Sequence, residues 1–235
     1  MHILLSACLS AMLLTSAAAD AAPRRPITIA DMLAIRDVSE VDVSPDGAWV
    51  AYTVSTADMM RDKSTSDIWM SSWDGRQQVQ LTASNASDSY PRFSPDSRYI
   101  AFLSARDDER EDKDESSTQV WLLDRAGGEA RQLTALDGDV KEFAWSPDST
   151  RLALIVKDPD PAALALRKRG DSLTGRDKTP PPIVIDRYRF KKDVEGYLGN
   201  RRSHLQLFDV AGRSAVQLTT GAFDDGSPGW SPDGG

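Results

Sequence analysis

One cysteine, Cys8, and two histidines, His2 and His204, are all that 235 residues offer of those types. A disulfide framework and a thiolate metal site are thereby excluded. His2 falls in an N-terminal leader, so one histidine remains, too few for a two-histidine zinc motif. A nucleophile elbow requires Gly-x-Ser-x-Gly. The nearest approaches, Gly226-Ser227-Pro228-Gly229 and Gly170-Asp171-Ser172, fail that pattern. A Ser-His-Asp triad needs a histidine with a partner. His204, at the start of a predicted strand beside Leu205, has none in view and reads as a structural or surface residue. No glycine-rich phosphate loop is present, and the residues imply neither metal nor cofactor. A net charge of -8 argues against general affinity for nucleic acid or anionic membrane.

No apolar run is long enough to span a bilayer, which takes about 20 residues. Ile3 to Leu14 is a twelve-residue run followed by Ala17-Ala18-Ala19. This is the pattern of a signal peptide over residues 1–19, cleaved before Asp20, with the mature protein periplasmic or secreted. The n-region, Met1-His2, lacks the usual Lys or Arg. Leu5-Ser6-Ala7-Cys8 resembles a lipoprotein box but sits inside the apolar run, so a cleaved signal is the expectation rather than an anchor, and no stable membrane insertion follows. Asn85-Ala86-Ser87 fits a glycosylation acceptor, a match too short to carry weight.

What the chain does have is a repeat. Ser-Pro-Asp-(Gly/Ser) occurs at Ser44, Ser94, Ser146 and Ser231, and a Gln-Leu-Thr ends twelve residues before three of them, at Thr82, Thr134 and Thr219. A period near fifty residues marks a repeat architecture. Proline presets φ for the turn, Asp bonds the backbone and Gly accepts positive φ; Ser97 and Ser149 replace that Gly in two copies. Each unit contains four strand-like segments. The first ends at Val43, Phe93, Trp145 or Trp230. The second is Val50-Ala51-Tyr52, Ile100-Ala101-Phe102 or Leu152-Ala153-Leu154, with a small residue where a neighbouring sheet should come close. The third spans residues 68–70, 120–123 or 205–208, and the fourth closes at the Gln-Leu-Thr. The recurrence of the turn aspartates at one place in every unit makes them structural.

Four-stranded antiparallel units at this period describe an all-β fold, an incomplete WD-like β-propeller. About three blades are expected (residues 37–82, 83–134 and 135–219), with the start of a fourth at 220–235. Residues 20–36 form a linker and a short helix, Pro26 to Ile35, capped by Thr28 with Asp31 three residues on. Propellers close with 4–8 blades, so the parent protein is expected to continue past Gly235. Expressed alone, such an open stack should be poorly soluble.

The turn spacings are 50, 52 and 85 residues, which places an insert at 158–200 in blade three. Within it, Pro161 to Gly170 reads as a short helix, Pro180-Pro181-Pro182 as stiff extended chain, and Ile183 to Phe190 as a strand-like run. Residues 157–202 carry twelve Lys/Arg against seven Asp/Glu. A smaller acidic insertion, Asp107 to Ser117, sits at the corresponding junction of blade two. Insertions in repeat proteins map to one face, often the binding face. Arg187, Tyr188, Arg189, Lys191 and Lys192 are accordingly candidates for lining a substrate passage or pairing with a second domain, since Arg suits bidentate recognition of carboxylates. The alternative is a solvated basic hairpin.

Three features together resemble a family. They are the helix leading through Asp37-Val38-Ser39 into Val43-Ser44-Pro45-Asp46-Gly47; Ser104-Ala105-Arg106, the acidic loop and Gln119-Val120-Trp121; and the stretch from Pro182-Ile183-Val184-Ile185-Asp186-Arg187 through Gly196-Tyr197-Leu198 to Arg202-Ser203-His204-Leu205. The chain from Thr28 to Gly235 is similar to the N-terminal propeller half of prolyl-oligopeptidase-family serine peptidases, in the acylaminoacyl-peptidase and dipeptidyl-peptidase-like branch. The resemblance implies a C-terminal α/β-hydrolase domain as partner, carrying the catalytic Ser, Asp and His, and short peptides as substrates. No catalytic position can be assigned within these 235 residues. Dipeptidyl-peptidase relatives hold the substrate amino terminus with acidic residues, and no adjacent Glu-Glu pair exists here. Two readings of other classes compete with the peptidase. A non-enzymatic periplasmic binding module, resembling the Tol-system propeller, predicts a small α/β domain before the blades. A propeller lyase or glycan-binding protein predicts a catalytic His and metal ligands in the blades.

Overall fold

A computed structural model describes residues 25–59, 62–106, 117–159 and 201–234, with positions 161, 164, 185, 188, 191, 192, 196, 197 and 199 between them. The expected leader at 1–19, the acidic insertion at 107–116 and most of the insert at 158–200 lie outside the described residues. The N-terminal helix α1 is shorter than expected, Ile29–Leu33, because only one turn follows its cap. Thr28 and Asp31 form a reciprocal capping box, and Arg25 pairs with Asp31. The Arg25 hydrogen bonds hold the Asp31 carboxyl well below the usual carboxylate range.

Three four-stranded antiparallel sheets follow. Blade one is β1 (Asp37–Val43), β2 (Trp49–Asp58), β3 (Lys63–Ser72) and β4 (Gln78–Gln80). Blade two is β5 (Asp88–Phe93), β6 (Tyr99–Ser104), β7 (Gln119–Asp124) and β8 (Arg131–Gln132). Blade three opens with β9 (Asp139–Trp145) and β10 (Arg151–Lys157). Its insert contributes a separate two-residue ladder, β11 (Lys191–Lys192) with β12 (Gly196–Tyr197). The blade then closes with β13 (Ser203–Asp209) and β14 (Ser214–Gln217). These are the blades of an incomplete β-propeller.

The period-two alternation of the middle strands gives the sheet of blade two a pair of buried faces. In blade two, Ile100, Phe102, Trp121 and Leu123 meet blade one, packing with Ala51 and Ile68. Their neighbours Ala101, Leu103, Val120 and Leu122 point the other way, onto Val140, Phe143, Leu152, Leu154 and Phe208 of blade three. Ala51 and Ala101 therefore both face the following blade, where the small side chain admits a bulky partner. Ala153, opposite in parity to Leu152 and Leu154, presents the same small residue on the far side of blade three.

The Ser-Pro-Asp turns are built alike. In all four, the serine hydroxyl donates to the Asp Oδ1 at 2.5 Å. In the three complete blades the serine Oγ also accepts from the first backbone N–H of the next strand, at 2.9 Å. The fourth turn position lies in the left-handed region at Gly47 (φ 68°), Ser97 (59°), Ser149 (61°) and Gly234 (77°). The expected opening strand of a fourth blade is not a strand. Residues 224–230 form no ladder, and Ser227 among them lies at positive φ (52°). Trp230 Nε1 instead donates to the Ala144 carbonyl at 3.0 Å, and Arg151 Nη2 to that of Gly234.

The Gln-Leu-Thr ends each outer strand by one device. The threonine hydroxyl accepts the N–H of Ile68, Val120 or Leu205 at 2.8–2.9 Å, standing in for a backbone carbonyl. The glutamine amide caps the threonine carbonyl, and the leucine N–H returns to the third strand.

A non-glycine residue at αL costs about 1–2 kcal/mol, against about 0.5–1 kcal/mol of extra chain entropy for glycine. Ser97→Gly should therefore raise stability in chemical denaturation of the full chain by roughly 0.5 kcal/mol. Ser149→Gly should gain nothing, because the Ser149 Oγ also accepts the Asp96 N–H of blade two. The turns also carry a pH signature. The Ser146 hydroxyl, followed by the Thr150 N–H, holds the Asp148 carboxyl at about 2 against an ordinary 3.8. A depressed carboxyl stabilises above its unfolded value and loses that contribution as pH falls through its folded one. The stability gap between wild type and Ser146→Ala should thus narrow from pH 4 down to pH 2, as read by thermal melts.

Candidate functional site

The connections β2–β3, β6–β7 and β10–β13 all leave from the end of the sheets opposite the Ser-Pro-Asp turns, so both insertions are attached at one end. The sequence placed them at equivalent junctions, and the topology turns that equivalence into a shared face.

At that end aspartates make one link within blade two and one between blades. Asp88, fully buried, receives Arg106 Nε on Oδ1 at 3.1 Å and Nη2 on Oδ2 at 2.5 Å. The same guanidinium lies 5.3 Å from the Phe102 ring centroid and 5.2 Å from that of Trp121. Burial, then the neighbouring Asp88 charge, pushes the Asp67 carboxyl up. In blade three Asp139 accepts the Thr118 N–H at 3.2 Å. Beside Arg106 and Thr82 a 310 Å³ pocket opens, lined also by Leu81, Ser84 and Glu129.

The base of the blade-three insert is closed from both sides. The Asp158 N–H donates to the Arg202 carbonyl at 2.7 Å, and the Arg202 N–H to Asp158 Oδ2 at 3.1 Å. Arg202 reaches on to Asp224 at 3.2 Å, and Asp224 accepts the Ser203 N–H. The stem thus ties blade three to the segment beyond it.

Of the sequence candidates, Arg187 and Arg189 lie outside the described residues. Tyr188 is fully exposed at a bend, and Ile185 is exposed without strand structure, so neither described position of the run 183–190 is a strand. Lys191 and Lys192 stand in β11, opposite Tyr197 and Gly196, with Lys191 exposed. His204 is buried, as a structural histidine should be, with Asp158 at 3.7 Å from Nε2 and Asp225 at 3.8 Å from Nδ1. With a carboxylate at each ring nitrogen it has no arrangement for activating a nucleophile. The turn aspartates are occupied within their own turns, also as expected. Among the described residues there is no group of His, Cys, Asp and Glu side chains that would hold a metal ion, and no helix is long and apolar enough to cross a membrane.

Sequence reasoning missed the carboxylates that bridge first strands. Glu40 and Glu142, each four residues before a Ser-Pro-Asp serine, accept the N–H of Tyr90 at 2.6 Å and of Ser227 at 2.8 Å in the next unit. The acceptor and donor positions are equivalent in the repeat, a signal visible once the units are superposed. Blade two has Tyr90 at that position and uses an edge-on contact to Phe143 instead, with ring centroids 5.5 Å apart.

No protein-family model matches the chain. It is 30% identical over 215 residues to an uncharacterized peptidase, YuxL, of Bacillus subtilis (strain 168), covering 90% of this chain and 30% of that protein. It is 30% identical over 121 residues to dipeptidyl-peptidase 5 of Porphyromonas gingivalis, covering 52% and 16%. Among solved structures, Pyrococcus horikoshii acylaminoacyl peptidase superposes with a TM-score of 0.57 at 18% identity, over 80% of this chain and 25% of that one. The chain spans less than a third of the length of each of these relatives.

Removing one partner of a buried ion pair costs about 3–5 kcal/mol, against about 0–1 kcal/mol for an exposed pair. Arg106→Met should therefore lower the denaturation midpoint of the full chain sharply. Arg98→Met, which breaks the exposed pair with Asp124, should leave it nearly unchanged.

Proposed function

We infer that this chain, which matches the propeller half of a prolyl-oligopeptidase-family peptidase, serves as the substrate-gating part of an exported serine peptidase that acts on short peptides. The observation that carries this reading is the alignment of 90% of the chain with 30% of a longer peptidase. Hydrolysis would belong to a C-terminal α/β-hydrolase domain of the parent protein.

The face bearing both insertions is the one we assign to peptide entry and domain contact. On it the basic insert, with Arg187, Tyr188, Arg189, Lys191 and Lys192, offers guanidinium and ammonium groups to peptide carboxylates or to acidic groups of the hydrolase domain. Residues 1–19 act as the cleaved export signal, leaving Asp20 as the mature amino terminus.

Four measurements on the full-length parent protein test this. A serine-directed fluorophosphonate should label it, at a residue beyond position 235, and short peptides should be cleaved while folded proteins are not. Lys191→Glu combined with Lys192→Glu should raise KM several-fold with little change in kcat, because lost uniform binding acts on KM. Mass spectrometry of the exported protein should place its first residue at Asp20. Absence of both labelling and peptide hydrolysis would leave a non-enzymatic binding propeller.

A further inference from the structure

The residue that precedes the threonine-bonded N–H of the third strand differs in every blade: Asp67, Gln119 and His204. In blade two the Gln119 side chain satisfies its surroundings fully. Its Oε1 accepts the Thr134 hydroxyl at 2.8 Å and the Leu136 N–H at 3.0 Å, while Nε2 donates to the Leu136 and Gly138 carbonyls at 3.1 Å. His204 occupies that position in the blade that carries the long insert, and its bonding is incomplete. Its Nδ1 is buried without a hydrogen-bond partner among the described residues. The two flanking carboxylate oxygens, at 3.7 and 3.8 Å, are too far to bond a neutral ring but close enough to attract a charged one.

We propose that His204 is a proton-dependent bridge between the base of the blade-three insert and the segment that opens the next unit. Asp158 stands where β10 enters the insert, and Asp225 lies on the next unit, where it accepts the Thr219 hydroxyl. A protonated ring donates from both nitrogens and draws the two carboxylates together; a neutral ring can donate to one only. The other charged groups around it are Arg202, paired with Asp224 on the far side of Asp158, and Lys157 with Asp139 on the adjoining β9–β10 ladder. Histidine is the side chain whose charge ordinarily changes between pH 5 and 8. The bridge therefore tightens when the ring takes up its second proton.

The amides beside the bridge report on it, since the Asp225 N–H donates to the Ser203 carbonyl and the Ser203 N–H to Asp224. In the full-length protein, hydrogen-exchange protection factors at Ser203 and Asp225, corrected for intrinsic exchange, should rise about fivefold from pH 8 to pH 5.5. The glutamine variant His204→Gln, which borrows the blade-two residue, should abolish that dependence while leaving the amides of β6 and β7 unaffected. Should the variant fail to fold, the wild-type His204 ring resonance, assigned by through-bond correlation to its own backbone, must change protonation in step with the protection. Protection that is flat across the range, that keeps its pH dependence in His204→Gln, or that changes out of step with the ring would overturn the proposal. These readouts need no substrate, so they stand or fall separately from the peptidase reading.

Discussion

The middle strands β6, β7 and β10 are buried on both faces, and that constraint shapes the remaining features. A sheet with two apolar faces has no stable existence beside water and must be sandwiched by neighbours. In blade two the sandwich is complete: residues of one parity meet blade one and those of the other parity meet blade three. The price of stacking such sheets is space near the first strands, where the blades come together. The alanines at 51 and 101 answer it by lowering the surface that the next blade approaches.

Apolar packing alone is non-directional and would tolerate sliding of one sheet on another. Polar links spaced along the first strands remove that freedom. Near the turn end, Asp42 accepts the Phe93 N–H at 2.8 Å, and Ser149 the Asp96 N–H. At the middle, a bulge displaces the register of each of β1, β5 and β9. The bulge at β1 frees Glu40 to accept the Tyr90 N–H of the following blade. Toward the insertion end Asp139 of blade three accepts the Thr118 N–H of blade two. Burial pushes the Asp42 carboxyl up even as the Phe93 N–H opposes the shift, so this link is made at some desolvation cost and serves register more than net stability.

Much of this was legible in the sequence, and the limits were physical. The Ser-Pro-Asp turn announces itself because its chemistry is local: a proline, a side chain bonded two residues on, and a residue at positive φ. The alternation around Ala51, Ala101 and Ala153 was likewise readable, since strand parity converts directly into faces. The Gln-Leu-Thr was visible as a pattern but not as a mechanism. Its hydroxyl bonds a backbone N–H fourteen residues earlier, and only the ladder register brings the two together. His204 was correctly read as structural, yet its carboxylates, Asp158 and Asp225, lie on opposite sides of it at long sequence separations. The expected fourth-blade strand failed for a related reason: a strand is a property of a pair, and residues 224–230 are held by isolated bonds to blade three without a ladder.

The comparison of equivalent positions leads one step further. Where a repeat keeps the same hydrogen bond in each unit, as at Ser44, Ser94 and Ser146, the residue is tied to the scaffold and offers little to function. Where equivalent positions carry different chemistry within unchanged backbone geometry, the scaffold is satisfied by something else and the side chain is free to differ. The third strand shows both cases side by side. Ile68, Val120 and Leu205 make one bond in three blades, while the residues just before them are an acid, an amide and an imidazole. That variable rung sits at the end from which both insertions leave. The same end therefore combines the longest departures from the repeat with the most varied side chains, which is how a uniform scaffold acquires one distinctive face.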